Sequence, residues 1–398
     1  MTAVIHVVTA LERGGAQRNT LETVARLHDP GRPQLLVTGA EAELDDEAHQ
    51  RLGRRLLRVP ELVGPIDPVR DLLAVQGLLR VFQREAARWG KPVVVHTHSS
   101  KAGVLGRLAA RAIPGVWVVH TVHGFGLDAL GPRHAWLLTA VERIAARAAD
   151  VMVFVSDADR RRAAELGLLE GLRVEVIRSG IDADAWAGVR GHAERRLQTR
   201  AALGIAPDAP LAVTTANLQP QKDPLLHAEI FAAWRAMDPR ARMVFLGDGP
   251  LRGALEARLG ALGLRHAFLL PGFVADPRDH LAAADVFLLA SAWEGLPRAV
   301  LEATAAGLPA VVRDTGWAGD LAWARSVRPL PSDAPPAVYA ALLNELLVKK
   351  PRVPRLPREF TQTGMLEDLE RLYDSLIGPP RYPRGTVKPR PPGRRRRR

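Results

Sequence analysis

The segment Asp-Val-Phe-Leu-Leu-Ala-Ser-Ala-Trp-Glu-Gly-Leu-Pro-Arg-Ala-Val-Leu-Glu-Ala-Thr-Ala-Ala-Gly-Leu-Pro-Ala-Val-Val-Arg-Asp, residues 285–314, decides how this chain folds. Val286 to Ala290 is an apolar run of strand length without alternation, as suits a strand covered on both faces. A loop follows, and then a helix whose limits are written in its residues. Pro297 suits the first helical position, Ala299, Leu301, Ala303 and Ala305 propagate the helix, Gly307 can close it in the left-handed conformation, and Pro309 blocks continuation. Ala310 to Val312 reads as the next parallel strand. The unit is one β-α-β crossover whose loop, carrying Glu294, lies at the carboxyl end of a strand and beside a helix N-terminus. Ligands of open parallel sheets bind at that place, and free backbone N–H groups there favour phosphate.

Two acids punctuate this unit, Glu294 in the loop and Glu302 in the helix, with seven residues between them. Glu294 can reach a polar group over the sheet edge, and Glu302, more than a turn further on, can accept hydrogen bonds from a vicinal diol. Two solvated acids on a helix surface are the plainer alternative. The string Glu294-Gly-Leu-Pro followed by Leu301-Glu-Ala-x-Ala-Ala-Gly-Leu-Pro resembles the donor-sugar motif of the family 4 retaining glycosyltransferases, with glycine, proline and both acids at that motif's spacing. The resemblance covers about residues 1–378. It implies the GT-B architecture, an α/β fold of two Rossmann-like domains whose parallel sheets face each other across a cleft.

The 398 residues, 47% of them hydrophobic, exceed one ordinary domain and suit two. With 5% aromatic residues the core must be built mainly from Leu, Val and Ala. Cysteine is absent, which removes disulfides, thiolate metal sites and cysteine nucleophiles together. No stretch approaches the roughly 18 uninterrupted apolar residues that span a bilayer, and no basic-then-apolar leader opens the chain, so a cytoplasmic location is expected. The net charge of +12 is concentrated: residues 379–398 hold nine basic residues, among them Arg394 to Arg398, and no acid. This Pro- and Gly-rich tail cannot bury a core and is expected to be disordered. Contact with anionic lipid or RNA and simple solvation are its competing readings, and no specific nucleic-acid partner is expected.

In the first half, Ala3 to Thr9 reads as a buried strand and Ala16 to about Leu27 as a helix, with Gly14 and Gly15 letting the backbone approach a ligand between them. A plain tight turn is the alternative, and the three-glycine dinucleotide fingerprint is missing. Residues 40–70 read as a helix, a short strand and a loop holding Pro60, Pro65 and Pro68. Val93-Val-Val-His-Thr-His is a strand, Ser99 and Ser100 are natural caps for a helix over Lys101 to Ala112, and Val116 to His120 is the next strand. His96, His98, His120 and His123 fall within 28 residues, but no acid or helical His pair accompanies them, and no metal is expected. His-Thr-His-Ser-Ser-Lys-Ala-Gly and His-Thr-Val-His-Gly-Phe resemble the acceptor domain of family 4 enzymes that build bacterial surface polysaccharides. That resemblance places His123 near the donor's phosphate and anomeric carbon, puts His98 and Lys101 on the acceptor side, and gives Gly14 and Gly15 to the donor phosphates. His96 and His98 share one face of a strand, where one of them is equally well a hydrogen-bonded core residue.

Residues 133–149 read as an amphipathic helix, Val151 to Val155 as a strand, and Ser156 as the cap of the next helix. Asp157-x-Asp159 and Asp182-x-Asp184 mimic a metal-holding pair, yet acids complementing helix N-termini explain them more simply. The polar run from about Ala183 to Thr199 reads as the linker. Beyond it, Leu211 to Ala216 is a buried strand, and Asn217-Leu-Gln-Pro-Gln-Lys-Asp-Pro places Lys222 at a loop-to-helix turn. An ammonium there can neutralise a departing diphosphate without a metal ion; a lone solvated lysine is the alternative. The segment resembles the family's phosphate-binding loop with one departure: Asn217 stands where arginine is typical, so the second cation of the phosphate clamp is either missing or supplied from elsewhere, with Arg298 as the candidate. The resemblance further implies Gly247, Phe273, Val274, Ser291, Gly295, Leu296 and Pro297 on the donor side. Gly316, Gly319 and Asp320 stand where relatives show Gly-Gly-x-x-Glu. Residues 337–348 and 362–377 read as helices, the last crossing back to the first domain.

The expected organisation is an acceptor-binding domain over 1–188, a nucleotide-sugar-binding domain over 200–360, a returning helix over 361–378 and a tail over 379–398. The expected activity is retaining, metal-independent transfer of a sugar from a UDP- or GDP-type donor to a sugar or lipid-linked acceptor of the cell envelope. No cofactor is expected. His123, Lys222 and Glu294 carry the chemistry, and Glu302 holds hydroxyls. A same-fold sugar-nucleotide epimerase and a weakened nucleotide-sugar-binding scaffold, suggested by Asn217, are the competing classes.

Overall fold

A computed structural model describes residues 2–90, 92–125, 132–191 and 193–376. Among these residues thirteen strands form two sheets, and every pairing between those strands is parallel. The first sheet holds β1 (Ala3–Val7), β2 (Gln34–Thr38), β3 (Leu56–Arg58), β4 (Val93–Thr97), β5 (Val116–Val122), β6 (Val151–Phe154) and β7 (Arg173–Val176), in the order β3-β2-β1-β4-β5-β6-β7. The second holds β8 (Leu211–Thr215), β9 (Arg242–Leu246), β10 (Phe268–Gly272), β11 (Val286–Leu289), β12 (Ala310–Arg313) and β13 (Val327–Leu330), in the order β10-β9-β8-β11-β12-β13. Each sheet therefore reverses its winding once, between β1 and β4 in the first and between β8 and β11 in the second. A crevice opens at the carboxyl ends of the strands where winding reverses. The α/β architecture expected from the 285–314 crossover is the one observed.

Continuous apolar runs are needed because both faces of each sheet are covered. In the second sheet, Val213, Val244, Phe287 and Val312 enter one core cluster, while their neighbours Ala212, Met243, Phe245, Val286, Leu288 and Val311 enter the cluster on the opposite face. The helix Gln362–Ser375 lays Met365, Leu369, Leu372 and Tyr373 against Val4, Val94, Val119 and Val153 of the first sheet. Residues 377 and 378 of the expected last helix, and the basic tail 379–398, lie outside the described residues.

Several local expectations are corrected. The crossover helix runs over Arg298–Ala305, and Pro297, with φ −73° and ψ 107°, is its extended N-cap rather than its first helical residue. Gly307 does end it with φ +83°. Ser99 does not cap the helix Ser100–Arg111: its backbone is left-handed, φ 56°, its hydroxyl pairs with that of Thr9 at 2.9 Å, and Thr9 Oγ1 accepts from Ala102 N–H. Pro68 lies in a helix, Pro68–Trp89, because Asp67 accepts from two N–H groups of its first turn. The run 183–199 is largely helical, with Ala183–Trp186 and Ala193–Ala202, since its arginines find fixed acceptors on the second sheet.

Asp285, which precedes β11, is the hub of those acceptors. It receives Arg196 Nη2 at 2.6 Å, Arg200 Nη2 at 2.8 Å and the Leu211 N–H at 2.9 Å. Arg200 is buried and also donates to the carbonyls of Ala206, Pro207, Ala209 and Ala283. Removing a carboxylate from a buried guanidinium leaves an uncompensated charge. Asp285→Ala is expected to lower stability by about 3 kcal/mol in urea unfolding, whereas Arg195→Ala, which removes an exposed pair with Asp279, is expected to cost less than about 1 kcal/mol.

Candidate functional site

The reversal points of the two sheets meet in one cleft of about 430 Å³, within the range of about 300–1,000 Å³ usual for small-molecule sites. After β1 the chain makes the Gly14-Gly15 turn and enters the helix Gly15–Arg26, whose N-terminus has neither a side-chain cap nor an acid in its first turn. Gly15 leaves room for Arg298, whose Cδ lies 3.3 Å from where a Cβ would stand. The helix Arg298–Ala305 is likewise without a side-chain cap. Residues of both N-terminal turns line the cleft, so free N–H groups from each sheet's crossover face the same space.

Lys222 and Glu294 come from the loops after β8 and β11. Their side chains form an ion pair, Lys222 Nζ donating to Glu294 Oε1, with the carboxylate nearly buried. The loops are stitched together behind it: Ala292 N–H donates to Gln221 O at 2.8 Å, and Gln221 Nε2 donates to Trp293 O at 3.1 Å. Asp223 turns the backbone through a left-handed conformation, φ 44°, caps the next helix at Leu226 N–H and pairs with Arg313 at 3.1 Å. That turn aims Lys222 back over the strand ends.

Arg298 bridges the two halves. It donates to Asn19 Oδ1 at 3.3 Å, to Gly180 O at 3.0 Å and to Glu22 Oε2 at 3.3 Å. Asn217 Nδ2 donates to Arg13 O at 2.6 Å, and the Arg13 guanidinium sits 3.8 Å from the centre of the Phe273 ring. Arg13, Arg18, Lys222 and Arg298 thus all line the cleft, which supplies cations where Asn217 has none. Glu302 lies among them. Burial pushes its carboxyl up to about 7 against the opposing pull of Arg298 and Arg18.

His123, just past β5, faces this space from the first sheet, and burial together with Arg298 pulls its imidazole down to about 4. Behind it are His6, His96 and His98, which bring one ring nitrogen each to within 4.8 Å of one another, the geometry of a candidate metal cluster. Every nitrogen of these three rings already has a protein partner: Gln34 and His98 for His6, Tyr373 and Thr121 for His96, His6 and His123 for His98.

Of the residues singled out from the sequence, Gly14, Gly15, His123, Asn217, Lys222, Gly247, Phe273, Val274, Glu294, Leu296, Pro297 and Glu302 line the cleft together. Four do not. Lys101 is turned away, donating to Pro65 O and pairing with Asp71 at 2.6 Å. His98 is buried behind His123, and Ser291 is buried with its hydroxyl unpartnered. Gly295 packs on the opposite wall, where a Cβ would stand 2.3 Å from His123 O. Arg13, Arg18, His6 and Gln34 were not anticipated. His6 sits mid-strand in an apolar run, a position that marks burial and says nothing of what it bonds.

A family model described as "Glycosyl transferase 4-like domain" matches residues 14–180, and one described as "Glycosyl transferases group 1" matches residues 195–328. The UDP-Gal:alpha-D-GlcNAc-diphosphoundecaprenol alpha-1,3-galactosyltransferase of Escherichia coli is 30% identical over 315 residues, 78% of each chain. The chain belongs to the family 4 glycosyltransferases of the GT-B fold. The putative glycosyltransferase EpsF of Bacillus subtilis is 26% identical over 316 residues, 78% of this chain and 79% of that one. The structure of Anabaena Alr3699/HepE in complex with UDP and glucose superposes with a TM-score of 0.74 at 18% identity, over 94% of this chain and all of that one. The fold is shared with that protein.

Two consequences of the glycosyltransferase's cleft geometry are measurable. Gly295→Ala drives a methyl into the His123 carbonyl and must part the two loops; kcat is expected to fall by about tenfold or more with little loss of thermal stability, read by kinetics and calorimetry. For Glu302 the folded-state pKa of about 7 exceeds the ordinary 4.5, so the folded chain binds more protons between those values and stability falls as pH rises from 4.5 to 7. Glu302→Gln is expected to flatten that decline and to be the more stable protein at pH 8, measured as Tm against pH.

Proposed function

We propose that this glycosyltransferase moves a sugar from a nucleotide-diphosphate donor, of the UDP type in preference to GDP, to a sugar borne on a lipid diphosphate of the cell envelope. The single observation that carries this reading is the Lys222–Glu294 pair, set at the reversal point of the second sheet and sharing one cleft with His123 from the first. The E. coli relative uses UDP-Gal and a diphosphoundecaprenol-linked acceptor by its name, which supports both the donor base and the acceptor class.

In this reading, residues 200–360 bind the donor, 1–188 bind the acceptor and the helix Gln362–Ser375 joins the two. The diphosphate lies over the N-termini of Gly15–Arg26 and Arg298–Ala305. Its charge, which grows as the bond from the anomeric carbon to the phosphate oxygen breaks, is met by Lys222, Arg298 and the free N–H groups. Fixed positive charge of this kind serves without a divalent ion. Glu294 and Glu302 accept hydroxyls of sugar and ribose, Phe273 and Val274 flank the base, and His123 holds the reacting centre on the acceptor side. Retention of the anomeric configuration belongs to this reading, and membership of the family supports it. Among the described residues no helix is long and apolar enough to cross a membrane. In this reading the lipid-borne acceptor is reached by peripheral contact at the inner face of the membrane.

Calorimetric titration of the full chain with UDP and GDP, followed by assay of UDP release from UDP-sugars with a lipid-diphosphate-linked N-acetylglucosamine acceptor, tests this function. Lys222→Ala is expected to lower kcat by about 10²–10³, the loss typical of one preorganised charge-stabilising group. Glu294→Ala is expected to abolish measurable transfer, while EDTA leaves the wild-type rate unchanged. Failure to bind either nucleotide sinks the donor assignment, and loss of turnover in EDTA sinks its metal-independent form.

A further inference from the structure

His123 is the end of a row. Its Nε2 lies 3.1 Å from Nδ1 of His98, whose Nε2 lies 3.1 Å from Nδ1 of His6, whose Nε2 lies 3.0 Å from the side-chain oxygen of Gln34. The members come from the adjacent strands β2, β1, β4 and β5 or the residues just past them, and His6, His98 and Gln34 are buried. His96 stands apart from the row, its two nitrogens engaged by the Tyr373 hydroxyl at 2.7 Å and Thr121 Oγ1 at 2.6 Å.

A neutral imidazole donates through one nitrogen and accepts through the other, so in a row of neutral rings the direction of one bond dictates all the rest. The row favours neutral rings: no carboxylate bonds to any of them among the described residues, and burial pulls His6 and His123 down to about 4 and His98 well below its ordinary value. Gln34 therefore sets the direction. With its oxygen toward His6, its buried Nε2 has no partner among the described residues. Turning the amide over gives that N–H a partner in His6 Nε2 and leaves an unpartnered oxygen instead. Buried N–H groups without partners are the rarer of the two, and amide orientation is settled by such accounting. The bonds then run from Gln34 to His6 Nε2, from His6 Nδ1–H to His98 Nε2, and from His98 Nδ1–H to His123 Nε2. The proton of His123 is left on Nδ1, the nitrogen without a protein partner among the described residues, on a side chain that lines the cleft.

We propose that Gln34, His6 and His98 are positioning residues that dictate the tautomer of His123, so that its Nδ1–H is presented to the cleft as a donor to an oxygen of the bound sugar nucleotide. The presentation to a sugar nucleotide rests on the function proposed above; the tautomer does not.

Long-range proton–nitrogen spectra of the full chain labelled with 15N-histidine read the tautomer directly, with His123 assigned from the signals lost in His123→Phe. At pH 7 the wild type is expected to show one His123 tautomer, protonated at Nδ1. His98→Leu cuts the row and is expected to let His123 exchange between both tautomers, lowering kcat for UDP release from UDP-galactose or UDP-glucose by about tenfold while the Kd for UDP stays within about twofold. His98→Asn, whose amide N–H takes the place of Nδ1–H, is expected to restore the single tautomer and most of that kcat. A His123 proton found on Nε2 in the wild type overturns the proposal without any variant having to fold. So does a His98→Leu protein whose His123 tautomer matches the wild type. Equal kcat in the Leu and Asn variants despite different tautomers overturns the presentation to the reacting centre. Absence of UDP binding with the expected tautomer sinks the nucleotide-sugar reading alone and leaves the positioning of His123 standing.

Discussion

The ion pair between Lys222 and Glu294 is the constraint on which the cleft depends. Both side chains are largely withdrawn from water, and a lone carboxylate or ammonium there would cost several kcal/mol. Paired, they hold each other at the ends of β8 and β11, while the bonds from Gln221 to Ala292 and Trp293 keep the two loops from separating. The ammonium is thereby fixed before any ligand arrives, which in the proposed reaction leaves little reorganisation for the moment when negative charge develops. The sheet topology explains why these two residues and no others meet: only at a reversal of winding do adjacent strands send their crossovers to opposite faces and leave a crevice between.

The second sheet alone does not complete the cleft. Arginines close it. Arg298 reaches Asn19, Glu22 and Gly180, and Arg178 reaches Asp157 at 2.9 Å, Asp320 at 2.8 Å and Glu359 at 3.1 Å. Planar guanidinium groups with several donors suit such multiple acceptors better than lysine does. Between these ties the loops carrying Gly124 and Gly295 touch backbone to backbone, where neither tolerates a Cβ. A contact that close sets the distance from His123 to Glu294 through the main chain, which is stiffer than any side-chain bridge.

The parts of this arrangement legible in the sequence were those carried by one contiguous stretch. The strand, Glu294, the helix and Gly307 follow from local preferences within 285–314, and Lys222 and His123 each sit in a short motif at a strand end. What was not legible depends on partners far along the chain. Asp285 looks like an ordinary strand-flanking acid until Arg196 and Arg200 arrive from 85 or more residues away, and for the same reason the helices in the run that leads to those arginines are not legible in its sequence. Ser99 has the residue type of a cap, but Thr9, just past β1, does the capping, and Ser99 takes a positive φ. His6 and Gln34 gave no signal at all, because a polar residue inside an apolar strand reveals only that it must find a partner.

Asn217 shows how a departure from the family pattern is absorbed. An arginine at this position would add a cation to the wall of the second sheet. The asparagine instead donates to the carbonyl of Arg13 in the first half of the chain, and the Arg13 guanidinium lies over the ring of Phe273, beside the segment expected to meet the nucleotide. Positive charge is not lost from the cleft; it has moved to the opposite wall, held there by stacking and by a hydrogen bond that Asn217 itself makes. Charge supplied from across a cleft acts on a ligand only when the two walls are together. In this chain Lys222 and Arg298 supply cations from the second sheet, and Arg13 adds one from the first, so only that added part of the cleft's positive charge depends on the two walls being together.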